Sequence, residues 1–262
     1  MFLERMMGRF SILMYHSIDV PLAESEARFC CLPERFAEQM AWISKYCHPL
    51  SLNELLDAQD GKTRLPDNAV AVTFDDGFTN VFENAMPILE KHKIPATMYI
   101  VASRIGSDND WMHKRGRPKR ALVDACQICE MVAAGIEIGS HTLNHARLPE
   151  IPQEQKLREI TESKTVLEDL LSAPVTHFAY PYGLYDEVAC EAVKNAGYVS
   201  ACSTRSGFNS QDTDRYLLRR IEVFNSDKLR HFKQKLKFGT NNAAWHLPFA
   251  YYCGRVRDRL AK

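Results

Sequence analysis

At 262 residues the chain can hold one barrel-type domain or two small ones, and 45% hydrophobic residues suffice for a sizeable core. Lys and Arg total 33 against 33 Asp and Glu, so no global charge points to nucleic acid as a partner. Eight cysteines, including the neighbours Cys30 and Cys31, make a poor disulfide framework, and free thiols in a reducing cytoplasm are expected.

The first residues, MFLERMMGRFSILMYHSI, lack signal-peptide form because Glu4, Arg5 and Arg9 interrupt the apolar run. No later segment is long and apolar enough to span a bilayer. SILMYH (11–16) predicts a first strand, and PERFAEQMAWISKY (33–46) an amphipathic helix opened by Pro33. AVAVTF (69–74) is strand-like, residues 82–92 predict a helix despite Pro87, and ATMYIV (96–101) predicts the next strand. Residues 103–120 are polar with Gly and Pro and read as a long loop. Residues 121–135 predict a helix closed by Gly135, in which Cys126 and Cys129 are packing residues with no second pair to hold zinc.

Further along, 136–140 is a short strand and 153–171 a long helix with a charged face. Residues 176–183, 198–203 and 216–223 predict more strands, and 185–197 a helix ending in glycine. This alternation argues for an α/β fold with a largely parallel sheet, and about six to eight βα units fit a distorted or incomplete (β/α) barrel. From Lys228 to the end there are nine Lys or Arg and a single acid, Asp258. KLRHFKQKLKF (228–238) and RVRDRL (255–260) flank Trp245, Phe249, Tyr251 and Tyr252. Such a segment suits peripheral contact with an anionic membrane or a solvated face packed on the barrel.

Chemistry is concentrated in two places. VTFDDGF (72–78) ends an apolar run with two adjacent carboxylates, Asp75 and Asp76. In parallel α/β folds functional groups gather at the C-terminal ends of strands. Gly77 can bend the backbone so that both acids face one cleft, although one acid could equally cap a helix after Phe78. SHTLNH then places His141 and His145 four apart after another strand, a spacing that on a helical turn stacks both imidazoles on one face. Two histidines and one carboxylate leave positions open on a divalent metal, and the second carboxylate is free to accept a proton.

TFDDG, SHTLNH and FAYPYG, in this order, resemble the polysaccharide deacetylase family (the NodB homology domain, carbohydrate esterase family 4). The resemblance covers roughly residues 10–225, leaving 226–262 as a basic C-terminal extension. It implies a NodB-like barrel with Asp75 as general base and Asp76, His141 and His145 as ligands of one divalent ion. That ion is expected to be zinc, with iron, cobalt, manganese and nickel also suited to the donor set. Pro181, Tyr182 and Gly183 would line the substrate site, with the Tyr182 backbone N–H contributing to an oxyanion hole.

Two features depart from the family pattern. The arginine that commonly supports the base in the third motif is replaced by Ala179 and Tyr180, and either Arg219 or Arg220 could substitute for it. The late Leu-x-His that supplies the general acid is also missing. Some members look circularly permuted, with that histidine in an N-terminal Tyr-His motif, which makes His16 the candidate acid. His48, His92, His113, His177, His231 and His246 sit in no comparable motif and read as structural or solvated.

The resemblance implies removal of N-acetyl groups from amino sugars of a glycan or glycan precursor. A hydrolase of another C–N bond and a degenerate glycan-binding scaffold are the alternatives. With no signal peptide, a cytoplasmic location and a precursor substrate, such as a lipid-linked sugar, are expected.

Overall fold

The computed structural model describes residues 8–113 and 115–243. Among the described residues nine strands form one sheet: β1 Arg9–Tyr15, β2 His48–Pro49, β3 Ala69–Phe74, β4 Ala96–Ile100, β5 Glu137–Ser140, β6 His177–Ala179, β7 Ser200–Cys202, β8 Asn209–Ser210 and β9 Ile221–Glu222. Their order is β7-β6-β5-β4-β3-β1-β8, with β2 beside β3 and β9 beside β1. All pairings are parallel except β1 with β8. The terminal strands β7 and β8 do not pair with each other, so the curled sheet is the incomplete barrel that the alternation of elements predicts.

Every residue of β3 and β4 is buried, as expected of parallel strands covered on both faces. The helices are α1 Glu24–Ala27, α2 Pro33–Tyr46, α3 Leu52–Gln59, α4 Met86–His92, α5 Asp110–His113, α6 Ala125–Ala133, α7 Gln153–Leu171, α8 Glu187–Asn195 and α9 Leu229–Phe238. One large apolar cluster joins the outer sheet face to α2, α4, α6, α7 and α8. A smaller one fills the barrel interior. There Leu52, Leu55 and Leu56 of α3 pack with Phe10, Ile12, Ala69 and Ala71, which lie in the first halves of β1 and β3. This helix plugs the end of the barrel where the strands begin and leaves the other end open. Close packing continues inside, where a Cβ on Gly139 would fall 2.5 Å from the Tyr99 ring.

Several boundaries differ from expectation for local reasons. Pro87 has no N–H to donate, and the chain before α4 widens into a π turn over Val81–Ala85, closed by the Met86 N–H on Val81 O. The predicted helix from 121 begins at Ala125, because Asp124 and Gln127 form a capping box. Ala121 and Leu122 instead bridge to Asp108 and Phe78. Strand β6 ends at Ala179, and Pro181–Gly183 form a 3-10 turn. The expected strand over 216–223 is split into a 3-10 turn at Arg215–Leu217 and the two residues of β9. Helices α1, α3, α5 and α9 and the short strands β2 and β8 have no counterpart among the expected elements, α5 standing inside the expected loop over 103–120.

Helix α9 occupies most of the first basic stretch. Its Phe232 ring meets Trp42 of α2 edge-on at 6.1 Å, and Phe232 and Leu236 are buried. Lys235 is buried too, with its ammonium on Glu222 O and on the Asp227 carboxylate. Trp245, His246, Phe249, Tyr251, Tyr252 and residues 255–260 lie outside the described residues. The seven cysteines among the described residues are all free thiols.

Candidate active site

The open end of the barrel is built from the C-terminal ends of β1, β3, β5 and β6. Tyr15 of β1 lies opposite Phe74 of β3, and the Asp75 N–H continues the ladder onto Tyr15 O at 2.9 Å. His16 and Asp75 therefore leave their strands side by side. Asn80 holds this junction: its carbonyl oxygen accepts the Ile18 N–H at 3.0 Å and its amide donates to the Ser17 hydroxyl at 2.9 Å.

The bend expected at Gly77 begins one residue earlier. Asp76 (φ 76°) and Gly77 (φ 81°) are both left-handed, which brings two consecutive side chains to one cleft. At Asp76, a non-glycine residue, that conformation is sparsely populated and costs about 1 kcal/mol or more.

His141 and His145 do meet, but not on a helix. Thr142 (φ 66°) and His145 (φ 58°) are left-handed residues of an irregular loop that folds the two imidazoles to a centroid separation of 4.8 Å. The loop is held from α7, where buried Glu159 accepts the Asn144 backbone N–H and its side-chain amide, each at 2.8 Å. The Leu143 N–H adds a bond to Glu159 O at 3.0 Å. Four-residue spacing thus serves the same end through a clamped loop rather than a helical turn.

Asp76, His141 and His145 form a buried cluster whose ligand atoms lie within 4.8 Å of one another. The Nε2 atoms of His145 and His141 are 3.1 and 3.6 Å from Asp76 Oδ1. His141 Nδ1 lies 2.7 Å from Ala179 O, so that nitrogen carries the proton and Nε2 turns a lone pair toward Asp76. Burial pushes His141 down to about 4, against the pull of Asp75, so the ring is neutral at physiological pH. Burial works against the Asp76 carboxylate, but His145 and the neighbouring histidines more than offset it and hold it well below the usual range. One carboxylate and two imidazoles converge here, the ligand types that divalent transition ions take. The donor set therefore fits a divalent ion.

Asp75 is not one of the three converging groups and is paired instead with Arg220. The guanidinium meets Asp75 Oδ1 at 2.6 Å through Nη1 and Oδ2 at 2.8 Å through Nη2. Its Nε donates to Ser203 O at 3.0 Å and Nη1 also reaches Thr73 Oγ1 at 3.3 Å. Burial works against the Asp75 carboxylate, but the Arg220 charge and hydrogen bonds outweigh it and hold the group below its ordinary value. Arg219 is exposed, so of the two candidates it is Arg220 that reaches Asp75.

The remaining residues form a cavity of about 260 Å³ whose walls include His16, Asp75, Asp76, His141, His145 and Tyr182. His16 stands against Phe29 at 5.3 Å. Tyr182 is left-handed (φ 59°) and turns its ring edge-on to His145 at 4.6 Å, while Trp111 of α5 stacks on His145 at 4.7 Å. Of the Pro181-Tyr182-Gly183 turn, Tyr182 lines the cavity. His48, His92, His113, His177 and His231 do not line it. Glu159, Asn80 and Trp111 escaped the sequence reading. An acid on the buried face of α7, in line with Ile160 and Ser163, is the one signal that could have exposed Glu159.

The chain is similar to known proteins in sequence and in fold. The polysaccharide deacetylase family profile matches residues 62–201, which contain both motif acids and both motif histidines. The chain is 31% identical over 220 residues to YxkH of Bacillus subtilis (strain 168), covering 82% of this chain and 72% of that protein. It is 27% identical over 202 residues to the poly-beta-1,6-N-acetyl-D-glucosamine N-deacetylase of Staphylococcus epidermidis, covering 73% and 67%. Among solved structures, the fold resembles the polysaccharide deacetylase BC0361 of Bacillus cereus (TM-score 0.74, 25% identity, 87% of this chain and 69% of that one). It also resembles the Streptococcus pyogenes deacetylase PplD (TM-score 0.75, 24% identity, 87% and 98%). The chain therefore belongs to the polysaccharide deacetylase family.

Proposed function

We propose that the chain is a metal-dependent hydrolase that removes N-acetyl groups from amino sugars of a polysaccharide or glycan precursor and releases acetate. The observation that carries this reading is the division of labour between two adjacent acids. Asp76 converges with His141 and His145, whereas both carboxylate oxygens of Asp75 are paired with Arg220. Residues 10–225 would form the catalytic unit.

A divalent ion held by Asp76, His141 and His145, with zinc the first candidate, would supply a Lewis acid at the acetyl carbonyl and make water more acidic. Asp75 takes a proton from the attacking water. Arg220 keeps its carboxylate ionised and aimed, since both oxygens are fixed by the guanidinium. The Tyr182 backbone N–H stabilises the developing oxyanion. His16, on the β1 side of the cavity, protonates the departing sugar amine, which is too basic to leave as an anion.

The missing third-motif arginine is the argument for a degenerate binding scaffold. Arg220 occupies that supporting role from elsewhere in the chain, which favours an enzyme. The basic segment could still meet an anionic membrane. Because Phe232, Lys235 and Leu236 are buried, α9 would do so through Arg230, Lys233 and Lys237 and not its apolar face. The reading is tested by metal analysis together with acetate release from an N-acetylglucosamine oligomer. About one divalent ion per chain and stoichiometric acetate are expected, both lost in a His141→Ala, His145→Ala double variant. Formate or ammonia in place of acetate would move the substrate to another C–N bond. Full metal occupancy in the double variant would refute the ligand set.

A further inference from the structure

The rim of the cavity carries more positive charge than its reacting groups need. Arg28, Arg115 and Arg117 all line it, against one acid besides Asp75 and Asp76, namely Glu222. Glu222 is matched to Arg28 at 3.5 Å. Arg115 and Arg117 form no salt bridge with a described residue. The Arg117 side chain donates to the Met112 thioether at 3.2 Å, a weak acceptor that leaves most of its hydrogen-bonding capacity unused.

Both guanidiniums are instead laid over aromatic rings that touch the reacting centre. Arg115 lies 4.6 Å from the centroid of Tyr182, whose edge meets His145. Arg117 lies 4.4 Å from the centroid of Phe29, which packs against His16. Arg147 shares the Tyr182 ring at 5.0 Å and Arg28 shares Phe29 at 5.8 Å, so each ring carries two cations. Stacking fixes the plane of a guanidinium and leaves its N–H edge directed outward, the geometry that suits bidentate recognition of a carboxylate or phosphate. Burial and the nearby Arg115 charge both work against the protonated form of Arg117. An arriving anion would relieve that repulsion.

We propose that Arg115 and Arg117 form an anion-recognition subsite beside the reacting centre, so that the preferred substrate is an amino sugar carrying a phosphate or carboxylate close to its N-acetyl group. The proposal takes the deacetylase reading as its basis and adds the charge of the substrate to it. A purely structural role, in which the arginines only brace Tyr182 and Phe29, gives no preference for charged sugars.

The test is titration calorimetry on the wild-type protein with three ligands that carry no acetyl group and therefore survive the enzyme. These are glucosamine, glucosamine 1-phosphate and a glucosamine–glucuronic acid disaccharide. At least one charged ligand should bind about tenfold or more tightly than glucosamine, with the advantage shrinking as salt is raised. In an Arg115→Gln, Arg117→Gln double variant the advantage should fall toward unity. Whichever charged ligand wins identifies phosphate or carboxylate as the recognised group. Equal binding of all three ligands, or a preference that survives in the double variant, would overturn the subsite. Acetate release is scored separately. A protein that deacetylates N-acetylglucosamine oligomers but binds charged and neutral sugars alike keeps the deacetylase reading and loses this one. An arginine-dependent preference without acetate release does the reverse.

Discussion

Arg220 and Asp75, 145 residues apart, form a fully buried bidentate pair at 2.6 and 2.8 Å. Removing either partner of such a pair leaves an uncompensated charge in the interior, which typically costs about 3–5 kcal/mol. Arg220→Gln should therefore lower the unfolding free energy by roughly that amount and reduce turnover at least a hundredfold, because Asp75 loses both its charge partner and its orientation. Arg219→Gln, at an exposed neighbour, should change stability by about 0.5 kcal/mol or less. Denaturant unfolding and acetate release on the two variants check this. Equal effects would mean that the pair does not support the base.

The two acids of the motif should separate in a second pair of variants. Asp75→Asn keeps the Asp76–His141–His145 cluster intact, so metal content should be unchanged while turnover falls on the order of a hundredfold or more. Asp76→Asn replaces the charged ligand by a neutral amide and should weaken metal affinity first, with activity following metal occupancy. Metal titration and turnover measured side by side decide it. Identical behaviour of both variants in both assays would show that the roles are not divided.

Glu159 offers a test of how the histidine loop is held. Its carboxylate takes both polar hydrogens that Asn144 presents to it, and Asn144 lies between the two histidines. Glu159→Ala removes that clamp without touching a ligand. Loss of such a supporting contact typically costs about 10- to 100-fold in metal affinity. Activity at saturating metal should recover largely, whereas in a ligand variant it would not. A Glu159→Ala protein with wild-type metal affinity would mean that the loop keeps its shape without the clamp.

These residues also show what the chain could and could not reveal before it was folded. Asp75 and Asp76, or His141 and His145, are legible because the chemistry is local: neighbouring residues follow a strand that hydrophobic patterning marks. Helices such as Pro33–Tyr46 and Gln153–Leu171 are legible for the same reason, since the apolar period acts within a few residues. The left-handed turns at Asp76, Thr142 and His145 are not, because nothing in their side chains demands a positive φ; the surrounding contacts impose it. Arg219 and Arg220 are identical in type, and an extended chain turns one inward and the other outward. Choosing between them requires the register of β9 on β1, where Leu13 meets Ile221, and that is fixed by the whole barrel.

His16 carries the sharpest prediction, because strand β1 delivers it to the cavity that holds Asp75. Its imidazole does not belong to the Asp76–His141–His145 cluster, so His16→Ala should leave metal content intact. Its ring packs edge-on to Phe29, and the substitution removes that contact. If His16 delivers a proton to the leaving amine, its loss should fall on amide cleavage, where an amine anion cannot depart unaided. An activated aryl acetate leaves readily without protonation, so hydrolysis of that ester should suffer far less. His16→Ala is therefore expected to lose about a hundredfold or more on an N-acetyl amino sugar and much less on the aryl ester, measured on the same metal-replete preparation. Equal losses on both substrates would assign His16 to shaping the cavity wall with Phe29, and the proton would have to reach the amine from another group.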